Sequence, residues 1–90
     1  MVEKNIQKGQ LRVWWIPQVP MNAFHVLVDD TKNARNVLTV LADYDLFQLK
    51  NNIKPEYSNT GGLEEFDGKE WTEWYNEEGE NIDEIYSTST

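Results

Sequence analysis

The sequence contains no cysteine and only one histidine, His25, among its 90 residues. The lack of cysteine excludes disulfide bridges, thiolate metal sites and a cysteine nucleophile. No apolar run approaches the roughly 18 residues that a membrane-spanning helix needs, and the first ten residues lack the apolar stretch of a secretion signal. We therefore expect a soluble, unexported protein that does not insert into a membrane.

Residues suited to catalysis are also scarce. A Ser/His/Asp site would have to use His25, and none of the three serines lies in a nucleophile-elbow sequence. Carboxylates are abundant, but a general acid needs a pKa shifted by burial, and Glu70 and Glu73 fall on a predicted solvated hairpin. The acidic run at residues 76–84 lacks the spacing of a calcium-binding loop. The sequence thus predicts a non-enzymatic protein with no catalytic residues, metal or cofactor.

Positive charge is scarce in the second part of the chain. Residues 51–90 contain eleven Asp or Glu and two Lys, whereas residues 1–50 contain five acidic and six basic residues. An acidic surface repels a phosphate backbone, so direct binding of nucleic acid is disfavoured. The same surface attracts a protein with a basic surface.

Two strands are predicted near the N-terminus. "QLRVWWI" at residues 10–16 alternates with the period of a strand and stops at the first of two prolines. We expect Trp15 in the core and Trp14 on the opposite face. "AFHVLVDD" at residues 23–30 predicts a second strand, which pairs antiparallel because the connection is short.

A helical period follows these strands. Asp29 or Asp30 is placed to cap the first turn. "ADYD" at residues 42–45 then offers new capping residues, so a short second helix is expected from there to just before Pro55. The apolar stripe of the main helix consists of Ala34, Val37, Leu38 and Leu41.

The remaining chain predicts a loop and a hairpin. "KPEYSNTGG" at residues 54–62 is typical of a loop, and Asp67-Gly68 indicates a two-residue turn that sets Glu65 opposite Glu70. Because this register pairs like charges, a turn one residue longer is the alternative. The predicted fold is a small α+β domain in ββαβ(β) order, an antiparallel sheet with one main and one short helix on one face. We expect one domain at residues 10–86, a flexible tail at 1–9 and a frayed end at 87–90.

The strongest binding signal is "EWTEWY" at residues 70–75. Its two tryptophans fall on opposite faces of a strand, so one indole is expected in the core and the other could be an exposed anchor for an Arg-bearing partner, although both could serve the core. The predicted partner-binding residues are Glu70, Trp71, Glu73, Trp74 and Glu77.

Four stretches are distinctive in wording: "VWWIPQVPM", "LADYDLFQ", "NNIKPEYSNTGGLEEF" and "WTEWYNEEG". Over residues 11–84 the sequence resembles the small bacteriophage proteins called superinfection exclusion proteins. This resemblance implies a phage or prophage origin and work in the cytoplasm of the infected bacterium against a host or competing-phage system. It implies no mechanism and no functional residues.

Combined with this resemblance, the residues favour an accessory protein that binds a host or rival-phage protein with a basic surface. The alternative is an oligomeric protein that sequesters a nucleotide-like defence signal between subunits. An exposed Trp14 or Trp74 would favour a homodimer. The predicted ligand-binding residues of the alternative are Arg12, Trp14, Lys32 and Arg35.

Overall fold

The computed structural model describes residues 6–53 and 58–87, which form one four-stranded sheet and two helices. The elements are β1 (Leu11–Ile16), β2 (Phe24–Val28), α1 (Thr31–Lys50), β3 (Thr60–Phe66), β4 (Trp71–Glu73) and α2 (Ile82–Ser87). Every pair of neighbouring strands is antiparallel, and the order across the sheet is β2-β1-β3-β4. The predicted α+β fold class is confirmed.

The core lies on one face of this sheet, which we call the inner face. Helix α1 packs there across β1, β2 and β3, and α2 packs against β3. Trp15 is buried on this face, as predicted, while Trp14 points to the outer face. The buried cluster consists of Val13, Val28, Ala34, Leu63 and Ile82.

Helix α1 begins at a side-chain cap and continues further than the sequence predicts. The Asp30 carboxylate accepts a hydrogen bond from the Asn33 backbone N–H at 2.8 Å, which satisfies a free donor of the first turn. The predicted break at "ADYD" is wrong, because α1 runs unbroken to Lys50. Asp45 lies inside α1 rather than at a helix start; it is buried and accepts hydrogen bonds from Trp15 Nε1 and Asn59 Nδ2, each at 3.0 Å.

Strand β3 begins inside the segment predicted as a loop. Gly61 lies opposite Trp15, and Gly62 lies opposite Trp14. A Cβ atom on Gly61 would overlap the Trp15 ring and lie 2.9 Å from the Trp14 carbonyl oxygen, and one on Gly62 would lie 2.7 Å from Trp14 Nε1. The glycines therefore make room for the two indoles within the sheet, and the loop prediction for residues 60–62 is wrong. Residues 54–57 lie outside the described residues.

The β3–β4 hairpin is confirmed, but its loop has four residues, at positions 67–70. Phe66 pairs with Trp71, so Glu65 faces Thr72 rather than Glu70. The predicted two-residue turn and the alternative turn one residue longer are both wrong. The observed register separates Glu65 from Glu70 but sets Glu64 opposite Glu73, so one like-charge pair replaces another.

The short second helix is α2, near the C-terminus, and not the segment after "ADYD". Asn81 Oδ1 accepts from the Glu84 backbone N–H, and Glu84 Oε1 accepts from the Asn81 backbone N–H, each at 2.9 Å. This reciprocal pair is a capping box, and Ile82 anchors the helix in the core. The predicted flexible tail and frayed end lie mostly outside the described residues, at positions 1–5 and 88–90.

Candidate functional site

Exposed carboxylates line the side of the molecule formed by the hairpin loop, β4 and α2, which we call the acidic edge. Within the described stretch from Ser58 to Ser87, Lys69 is the one basic residue. A negative potential therefore extends over this side. The acidic edge consists of Asp67, Glu70, Glu73, Glu77, Glu78, Asp83 and Glu84.

The hairpin loop is held by the first of these carboxylates. Asp67 Oδ1 accepts hydrogen bonds from the backbone N–H groups of Lys69 at 2.8 Å and Glu70 at 2.9 Å. The Asp67 N–H donates to the Glu70 carbonyl oxygen at 3.0 Å. The backbone N–H groups of Glu70, which contributes most, and of Lys69 stabilise the charged form of the Asp67 carboxyl. They therefore hold its pKa below the usual value.

The turn after β4 is held by an asparagine. Asn76 Oδ1 accepts from the backbone N–H groups of Glu78 at 2.9 Å and Glu80 at 2.8 Å, and its Nδ2 donates to Glu80 Oε1 at 3.0 Å. Gly79 adopts a φ of 79°, which a side chain would strain. These bonds fix the backbone that presents Glu77 to solvent.

Trp71 lies on the outer face and contacts both an aromatic ring and a cation. Its ring centroid is 5.3 Å from that of Phe66, and the Arg12 guanidinium carbon lies 4.2 Å above its ring. Arg12 Nε also donates to Glu64 Oε1 at 2.8 Å. Trp71 is consequently half-buried.

Trp74 lies on the opposite face and packs against the core. Its backbone N–H donates to the Leu63 carbonyl oxygen at 3.0 Å, which holds it beside β3. The structure thus places Trp71 and Trp74 on opposite faces, and both are half-buried rather than one being buried and the other exposed.

The structure brings Glu70, Glu73 and Glu77 to the acidic edge and adds an aromatic residue that the sequence analysis did not select. Tyr75 is 54% exposed and lies between Glu73 and Glu77 in the chain. The alternation of side chains along a strand does not predict this exposure, because β4 ends at Glu73 and Tyr75 lies beyond it. Glu73 also accepts a hydrogen bond from Asn81 Nδ2 at 2.9 Å, which ties β4 to the start of α2.

The residues of the alternative ligand site do not meet within one chain. Arg12 and Trp14 lie on the outer face of the sheet. Lys32 and Arg35 are exposed residues of α1, which covers the inner face. Arg35 instead lines a cleft of about 400 Å³ between α1, the start of β3 and α2.

The described part of the chain contains neither a cluster of metal ligands nor a helix that could span a membrane. Across residues 6–53 and 58–87, no three His, Asp or Glu side chains converge as ligands for a metal ion. None of the helices in those residues combines the length and the apolar character that spanning a membrane requires.

Comparisons with known proteins point to a single family. A family model described as "Superinfection exclusion gene product 17" matches residues 10–89. The superinfection exclusion protein of Salmonella phage P22 is 43% identical to this chain, in an alignment that covers 76% of this chain and 79% of that protein. No solved structure matches.

Proposed function

The chain belongs to the superinfection exclusion gene product 17 family, and on this premise we propose that it acts in superinfection exclusion by binding a protein partner through the acidic edge. The partner is a host or rival-phage protein with a basic surface. We place the interaction in the cytoplasm of the infected bacterium and assign the chain no enzymatic step.

The observation that carries this proposal is the separation of charge in the described structure. The acidic edge exposes seven carboxylates around β4 and α2, where Lys69 is the one basic residue described from position 58 to 87. A surface of one sign attracts a partner of the opposite sign and accelerates encounter. It also repels nucleic acid, which favours a protein partner, including one that itself binds nucleic acid.

The restrained backbone of the two loops that flank β4 supports the same proposal. Asp67 and Asn76 hold the backbone on either side of β4 through hydrogen bonds of 2.8 to 2.9 Å. Groups that are already ordered lose less conformational entropy when a partner binds. Glu70 and Glu77 would therefore be presented at fixed positions.

An apolar anchor usually accompanies such charges, because buried aromatic contacts contribute most of the binding energy at interfaces. Tyr75 is exposed among the carboxylates and fits this role. Trp71 would present its uncovered part beside Arg12, and Trp74 would support the edge from the core side.

The test reverses two charges that no side-chain hydrogen bond of the described structure uses, Glu70→Lys with Glu77→Lys. Cells that produce the protein are challenged with a panel of phages, and the efficiency of plating is measured. Asp43→Lys is the control, because Asp43 is also an exposed carboxylate but lies on α1. Circular dichroism checks that each variant is folded.

We expect the double variant to restore plating to the level of cells without the protein, whereas Asp43→Lys keeps exclusion. A tagged wild-type chain should also retain a partner at low salt and release it at high salt, because exposed ion pairs are screened. Full exclusion by a folded double variant would show that the acidic edge is not the binding surface.

A further inference from the structure

Strand β2 forms one edge of the sheet, with no described strand on its outer side. Its sequence, "FHVLV", contains no Lys, Arg, Asp, Glu or proline. Natural edge strands usually contain charged residues or proline, or are very short, because an unprotected edge can pair with a strand of another chain. The other edge has such protection, since β4 has three residues and ends at Glu73.

Helix α1 carries an apolar flank on the same side. Val37, Val40, Tyr44 and Phe47 recur at intervals of three and four residues, and the last three are 65%, 56% and 55% exposed. The opposite flank, which includes Arg35 and Ala42, faces the cleft beside β3 and α2. Since β2 and β3 lie on opposite sides of β1, the apolar flank lies on the β2 side.

We propose that a second copy of this chain covers the β2 edge and the apolar flank together. In the dimer, β2 pairs antiparallel with β2 of the partner subunit about a two-fold axis, which extends the sheet to eight strands. With the axis at Val26, all five residues of β2 are paired, and the two α1 helices meet across the same axis. This inference does not depend on the acidic edge or on its partner.

Symmetry is the first reason for a second copy rather than another protein. One two-fold rotation sets β2 against β2 and α1 against α1, so a single operation covers both an unpaired edge and an apolar helix flank. The backbone groups of an unpaired strand edge form hydrogen bonds with another strand, and an apolar helix face packs against another apolar face. Another copy of this chain supplies both in the required relative position.

Charge is the second reason. The first 50 residues contain six basic and five acidic residues, whereas the last 40 contain two and eleven. Pairing through β2, which contains no Lys, Arg, Asp or Glu, keeps the two acidic edges at opposite ends of the dimer. Pairing through β4 would bring carboxylates together, which is unfavourable.

The first test measures the mass in solution by sedimentation equilibrium. The wild-type chain should have twice its monomer mass of 10.6 kDa. Tyr44→Glu should weaken self-association by about 100-fold, because it places a charge in each copy's helix flank. Tyr75→Glu is the matched control, since Tyr75 is 54% exposed against 56% for Tyr44 but lies among the acidic residues; it should remain dimeric.

The second test identifies the strand without altering the helix. The chain contains no cysteine, so Val26→Cys introduces a single thiol at the proposed axis. Directly opposed residues of antiparallel strands lie about 4.5 to 5.5 Å apart between Cα atoms, which a disulfide can bridge. Oxidised glutathione should link Val26→Cys chains into covalent dimers and leave Thr72→Cys, on the β4 edge, unlinked.

Three results would overturn the proposal. The first is a wild-type mass of 10.6 kDa at a chain concentration of about 100 μM, which is above the usual dissociation constants of stable interfaces. The second is a Tyr75→Glu chain that is monomeric while the Tyr44→Glu chain stays dimeric, and the third is cross-linking of Thr72→Cys chains but not of Val26→Cys chains. The cross-linking result decides the matter even where Tyr44→Glu fails to fold.

Discussion

The two sides of this small sheet differ in the kind of surface that they present. Ten large apolar side chains are exposed in the described residues, and nine of them lie within residues 19–53, in the β1–β2 connection, β2, α1 and the residues just after it. The acidic edge lies at the opposite end of the sheet and belongs to residues 67–84. On the two proposals above, the β2 side would serve self-association, whereas the acidic edge would attract a basic partner.

The two sides are joined where β1 pairs with β3. Trp14 and Trp15 of β1 lie opposite Gly62 and Gly61 of β3. On the inner face, Asp45 of α1 accepts hydrogen bonds from Trp15 and from Asn59, the residue before β3. Changes at this junction test how strongly it holds the two sides together.

The largest effect is expected for Gly61→Ala. Its Cβ would meet both the buried Trp15 ring and the Trp14 carbonyl oxygen, so β3 would have to move away from β1, at a cost of about 3 kcal/mol. For Gly62→Ala, the nearest atoms to the added Cβ all belong to the half-buried Trp14 side chain, which can shift on the outer face, so the cost should be about 1 kcal/mol. Urea unfolding followed by circular dichroism measures both, and equal losses would contradict this difference.

A smaller loss is expected for Asp45→Ala. Removing the carboxylate leaves the buried Trp15 indole N–H without its acceptor, which should reduce the free energy of unfolding by about 2 kcal/mol. Asp45→Asn keeps a carbonyl oxygen at the same place and should lose less. If the two variants are equally stable in urea, the hydrogen bond from Trp15 contributes little to joining α1 and β1.

The smallest effect concerns the acidic edge and depends on pH. The folded Asp67 pKa lies below the ordinary value of 3.8 because the N–H groups of Glu70 and Lys69 stabilise the carboxylate. Its contribution to stability is therefore present above about pH 4 and is lost as the pH falls through the lowered pKa. The amide NMR signals of Glu70 and Lys69 should shift with a midpoint below 3.8, and Asp67→Asn should abolish that step. A midpoint at or above 3.8 would mean that the loop bonds do not stabilise the charged form.

The parts of the fold that are encoded by a local periodic pattern of apolar residues could be predicted from the sequence. Alternation in β1 and the stripe of α1 reflect one buried face, and the order of a strand pair, a helix and a hairpin then determines the α+β class. Asp30 is a local cap and was one of two residues proposed for that role. Each of these features depends on residues that are close in the chain.

The features that were missed depend on distant contacts. Asp45 has the residue type of a helix cap, and only Trp15, 30 residues away, makes it a buried acceptor. Gly61 and Gly62 are typical of a turn, and only the two indoles opposite them require glycine in a strand. At the candidate site, the carboxylates could be selected from charge alone, whereas the exposure of Tyr75 follows from the end of β4, which no local pattern marks.

The contact between the two tryptophans and the two glycines also constrains how this sequence can change over time. Because the Trp15 ring occupies the space of a side chain at position 61, a larger residue there can be accepted only with a smaller residue at position 15. Positions 14 and 62 are linked in the same way but more loosely, since the outer face leaves room for movement. Among relatives we therefore expect substitutions at positions 15 and 61 to covary more strongly than those at positions 14 and 62.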